Sequence, residues 1–96
     1  MSYTKKYDVA QGAWTKVIDG QATGVVQALS AGPVLVHVGP TASPPAVDSV
    51  DALELTHEGL RGLTFSSLDA LDSVWCRSLH DETNEVAAHS SGTVPV

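Results

Sequence analysis

Short runs of valine and small residues, broken by Gly, Pro and Asp, set the pattern of hydrophobic and polar positions along this chain. In "GPVLVHVG" (32–39), Val34, Val36 and Val38 fall on one face and Leu35 and His37 on the other. That period of two is the signature of a β-strand. "ATGVVQALS" (22–30) precedes it, and the short Gly-containing "SAG" between them predicts a hairpin. "GPTASPPAVDS" (39–49) is a loop, because three prolines in so short a span preclude a regular ladder. "DALELTHEGL" then alternates Leu53 and Leu55 with Glu54 and Thr56, a half-buried strand ending in a turn at 57–59. A helix through 44–60 is the competing reading, but its apolar spacing is patchy.

"GLTFSSL" (62–68) and "DSVWCRSL" (72–79), joined across "DALD", are two further strands, and "NEVAAHS" (84–90) is a weaker last one. Upstream, "KKYDV" and "AWTKVI" each offer a strand, with "DGQ" (19–21) turning the chain onward. Seven to eight short strands with turn signals every 8–12 residues or so predict an all-β fold, a small antiparallel sandwich or barrel. The organisation expected is an N-terminal arm (1–12), a β-sandwich domain (13–90) and a C-terminal tail (91–96).

Composition narrows the picture. Ninety-six residues form one domain near the small end of what a single core supports. The large aromatic residues are only Trp14, Trp75, Tyr3, Tyr7 and Phe65, so Val, Ala and Leu must build a thin core. Thin cores gain from oligomerisation, and a homo-oligomer is expected, a trimer slightly ahead of other symmetries. Residues 1–47 carry three lysines against two acids, while residues 48–96 carry two arginines against nine acids. A chain of net charge −6 with five scattered cations lacks the footprint of a nucleic-acid binder. No apolar run approaches the ~20 residues of a membrane helix, and "MSYTKKYDV" has no apolar core of a signal peptide. Synthesis in the cytoplasm, with no membrane partner, is the expectation.

Candidate chemistry is sparse. In an extended "SVWCRSL", Val74, Cys76 and Ser78 share one face and Trp75, Arg77 and Leu79 the other. The single cysteine makes no internal disulfide, and with no adjacent histidine and Arg77 on the opposite face it reads as a core residue. Trp75 and Arg77, two residues apart, could stack as an interface anchor or be absorbed into the sandwich. His37, His57, His80 and His89 show no zinc-ligand spacing, and "HDETNE" (80–85) lacks calcium-loop spacing, so no metal or cofactor is expected. No nucleophile elbow or phosphate loop occurs, and nothing argues for an enzyme.

Read in order, "AWTKV", the Val-rich "GVVQALS…PVLVHVG", the loop "PTASPPA", "LELTHEGL" and the closing "SVWCRS" form a layout. It resembles a class of short structural proteins of tailed-bacteriophage virions over roughly residues 13–79. Trp14 and "VWCRS", with Cys76 where a small residue is expected, are its most specific parts. The resemblance implies a small β-sandwich located on the virion. Its role would be a capsid decoration (cement) protein binding the major capsid protein or another virion protein. The expected interface residues are Lys5, Lys6, Tyr7, Trp14, Lys16, Trp75 and Arg77, with the near-neutral N-terminal segment docking and the acidic half facing solvent. The alternative is a fibre or tail module that stacks a carbohydrate or host surface on Trp14, Trp75, Tyr3 and Tyr7.

Overall fold

The computed structural model describes residues 3–20, 23–30, 32–46, 49, 52–56, 59, 61–65 and 69–92. Eight strands cover them: β1 (Tyr3–Val9), β2 (Thr15–Asp19), β3 (Gly24–Ala28), β4 (Val34–Pro40), β5 (Leu53–Leu55), β6 (Gly62–Phe65), β7 (Asp72–Ser78) and β8 (Asn84–Ser90). No helix occurs among the described residues, and 53–55 within the alternative helical stretch is strand. The expected turn at His57–Glu58, the end of the 62–68 strand and the tail from Thr93 lie outside the described residues.

Two antiparallel sheets of four form a β-sandwich, ordered β1-β8-β3-β6 and β2-β7-β4-β5. Strand pairs 1–8, 2–7, 3–6 and 4–5 are the successive rungs of one long antiparallel hairpin rolled up on itself. That is the connectivity of a jelly roll. Period-two alternation explains the layers. Val26 and Ala28, Val34 and Val36, Val74 and Cys76, and Val86 and Ala88 turn one face of each long strand into a shared core, with Leu55 at its margin. Valine and alanine dominate it, as the composition requires.

The pattern corrects one expectation. β3 and β4 are not a hairpin: β3 pairs with β6 and β8, and β4 with β5 and β7. The chain between them crosses from one sheet to the other, so Val26 and Val34 belong to opposite layers of the core. Burying both strands against each other face to face removes more apolar surface from water than laying them side by side. The segment expected as an arm supplies β1, because Tyr7 and Val9 alternate with exposed polar residues and pack inward on β8.

A β-bulge in β2 inserts Val17 between Lys16 and Ile18, and both Val17 and Ile18 become fully buried. The bulge breaks the local ladder, and the Tyr3 hydroxyl donates to the Val17 carbonyl at 2.6 Å. Among the described residues β5 is three residues long and pairs with Val34–Val36, while β4 runs on to Pro40.

Candidate functional site

Of the expected interface residues, the fold gathers Trp14, Lys16, Trp75 and Arg77 on the outer face of the second sheet. Lys5, Lys6 and Tyr7 stand on β1, the edge of the other sheet. They do not form one site.

The outer-face group is covered by the segment that follows β4. Trp14 Nε1 donates to Ala46 O at 2.8 Å and Trp75 Nε1 to Pro40 O at 3.3 Å. Arg77 donates from Nη2 to Ser49 O (3.0 Å) and from Nη1 to Gln11 O (3.2 Å) and Ser78 O (3.4 Å). Its guanidinium lies over the Trp14 ring at 5.2 Å, where the ring quadrupole favours a cation. The proline-rich loop is therefore a strap lying on a second apolar cluster of Trp14, Leu35 and Trp75. Trp14, Trp75 and Arg77 are left 9%, 7% and 5% exposed. In the free chain they are internal packing, and the expectation that Trp75 and Arg77 face a partner yields to the strap that covers them.

Lys16 is likewise engaged, 5.2 Å from the Trp75 ring centroid and 3.5 Å from Asp19 Oδ1. Asp19 Oδ1 also accepts from Thr41 Oγ1 (3.1 Å) and Ser73 Oγ (3.0 Å), fixing the start of the strap. Cys76, on the core face, is fully buried, and burial alone pushes its thiol up to about 12. A thiol so placed is neither a nucleophile nor a ligand.

On β1, Lys5 and Lys6 are exposed, and the Lys5 ammonium rests over the Tyr7 ring at 5.0 Å. Tyr3 and Tyr7 point inward and burial raises both phenols above their ordinary range.

The feature that sequence reasoning missed lies at the opposite side of the sandwich. Val36, His37, Val38, Ala52, Leu53 and Phe65 line an open cleft of about 400 Å³ where β5 stops short. Val38 and Leu53 on its rim are 43% and 58% exposed. Val38 shares a strand face with the buried Val34 and Val36, and Leu53 with the buried Leu55, so alternation alone does not set them apart from core residues. Both side chains nonetheless stand exposed beside the Leu53 end of β5. From Val38 to Pro40, β4 has no ladder partner on that side among the described residues.

No protein-family model, curated protein or solved structure matches the chain.

Proposed function

We propose that this chain is a structural protein of a tailed-phage virion, a capsid decoration protein that clamps neighbouring capsid subunits. The observation that carries the reading is the exposed apolar rim of Val38 and Leu53 beside the cleft, next to the end of β4 that has no ladder partner on that side among the described residues. Exposed apolar surface next to a free strand edge is what an extended segment of another protein uses to add a strand. The occupant we assign is such a segment of a capsid subunit, apolar at alternate positions and basic at its flanks. Glu54 is exposed next to Leu53, and residues 48–96, which supply Ala52, Leu53 and Phe65 to the cleft, hold nine of the eleven acids. A jelly roll is also an architecture that viral shells use, which adds support by analogy of fold only.

The glycan reading has less support. Of its four expected rings, Trp14 and Trp75 lie beneath the strap, and Tyr3 and Tyr7 point inward from β1 and are half-buried.

Co-sedimentation with undecorated capsids of the phage tests the proposal. The intact protein is expected to bind. Leu53→Asp should keep the fold, because Leu53 is mostly exposed, and weaken binding about tenfold, as for an apolar interface anchor. Failure of the intact protein to bind, or binding indifferent to Leu53→Asp, would overturn it.

A further inference from the structure

The free edge of β1 carries a second surface, whose partner the sequence itself specifies. β1 is the outermost strand of its sheet and, among the described residues, pairs only with β8. The Ser91 N–H donates to Thr23 O and the Leu29 N–H to Glu85 O, both at 2.9 Å, so the odd-numbered residues of β8 bond toward β3. Antiparallel ladders alternate, so the even-numbered residues of β8 bond toward β1. Those residues face Tyr3, Lys5, Tyr7 and Val9. Thr4, Lys6 and Asp8 are therefore the residues that aim backbone N–H and C=O groups at the open edge. Lys6 and Asp8 also project their side chains to solvent, and both are exposed without an ion pair among the described residues.

An edge of this kind can accept a second copy of itself across a two-fold axis perpendicular to the sheet. That operation keeps inner faces together, so only registers centred on a residue are allowed. Centring on Lys5 or on Lys6 sets a lysine against its own copy, and centring on Asp8 sets two carboxylates together. Centring on Tyr7 places Lys6 opposite Asp8 of the second copy, and Asp8 opposite its Lys6. Both are hydrogen-bonding positions, so this register forms four backbone bonds and two facing ion pairs on the solvent side. Tyr7 then meets Tyr7 on the inner side, at a position where ladder side chains approach closely.

We infer that the chain associates as a two-fold dimer through antiparallel β1–β1 pairing centred on Tyr7, extending the four-stranded sheet to eight strands. Lysines on an edge strand ordinarily discourage pairing. Here the Lys5 ammonium is folded back over its own Tyr7 ring and the Lys6 charge is met by Asp8, so the same residues that repel other strands and other registers select this one. One strand edge buries a small area, and the association is expected in the micromolar range. The inference stands apart from the capsid assignment, because its test uses the free protein. If both hold, the two clefts lie at the outer ends of the extended sheet, far from the seam.

Sedimentation equilibrium of the full chain across the micromolar range tests it. A reversible dimer is expected. Lys6→Asp and Asp8→Lys should each weaken it about tenfold by turning two attractive cross-strand pairs into repulsive ones. The double variant K6D/D8K should restore it, since the facing pairs are only exchanged. In a register centred on Lys6 the double variant would face Asp against Asp and stay weak. A monomer or trimer, a dimer indifferent to the single changes, or a double variant that fails to recover would each overturn the inference.

Discussion

Two tyrosines on one strand show how unequal superficially similar residues are. Tyr3 and Tyr7 both face inward from β1, and burial raises both phenols. Tyr3 Oη donates at 2.6 Å to the carbonyl that the β2 bulge leaves at Val17, whereas Tyr7 Oη, which interacts with the Tyr3 phenol, is buried with no hydrogen bond of good geometry among the described residues. Removing a hydroxyl that satisfies a buried carbonyl costs about 1 kcal/mol, and removing one that satisfies nothing relieves a desolvation penalty. Tyr3→Phe is therefore expected to lower the unfolding free energy by about 1 kcal/mol and Tyr7→Phe to leave it unchanged or raise it. Urea denaturation of the two variants checks this, and equal losses would remove the distinction.

At the scale of elements, the strap after β4 is the organising feature, and Arg77 is its fastening. A guanidinium reaches the carbonyls of Gln11, Ser78 and Ser49 at once while stacking on Trp14, and so ties the β1–β2 connection, β7 and the strap together. An ammonium keeps the charge without the planar fork. Arg77→Lys should therefore cost about 2 kcal/mol through charged hydrogen bonds lost to buried carbonyls. It should also speed proteolytic cleavage within 40–49. Unchanged stability and unchanged cleavage together would show that the strap holds without it. The strands and the sharing of faces were legible from alternation: Val34 with Val36 and Leu35 opposite, and Val74 with Cys76 and Trp75 with Arg77 opposite, are groupings the pattern specifies, whereas which face turns inward was not, because β4 and β7 are apolar on both sides. What lay over the outer set was not legible. Proline content marks 39–49 as irregular but says nothing about the surface on which it rests, and that surface decides whether Trp75 is an anchor or a packed residue. The β3–β4 error has the same origin. A short Gly-containing connection serves a hairpin and a crossing between sheets equally well, and the choice is made by pairings such as β1–β8 between residues at opposite ends of the chain. The cleft escaped for a third reason, since it arises from how β4, β5 and β6 come together around Val38, Leu53 and Phe65 and not from any residue type.

For the molecule as a whole, a core of small aliphatic side chains leaves buried protonated groups with a large share in its pH response. Cys76 is fully buried at the centre of that core, its thiol held up to about 12 by burial, and Tyr3 and Tyr7 are shifted in the same direction. In each case the native state keeps a proton that the unfolded chain gives up earlier, the thiol near pH ~8.5 and the phenols near ~10. Stability from these groups is thus complete below their unfolded values and is lost as pH rises through the interval up to the native ones. For the thiol alone the loss is about 1.4 kcal/mol per pH unit once the unfolded thiol ionises. From pH 8.5 to 10 that amounts to roughly 2 kcal/mol, a large fraction of what a domain of this size holds. Cys76→Ala lowers stability at neutral pH by leaving a small void, but it should flatten this alkaline slope until the tyrosines begin to titrate. Urea denaturation at successive pH values between 7 and 10.5 separates the two effects, because the void shifts the whole curve while the thiol changes its slope. A variant curve parallel to that of the intact protein would place the alkaline sensitivity elsewhere than in the buried thiol. A flattened one would assign that sensitivity to the buried, protonated thiol of the cysteine in "VWCRS".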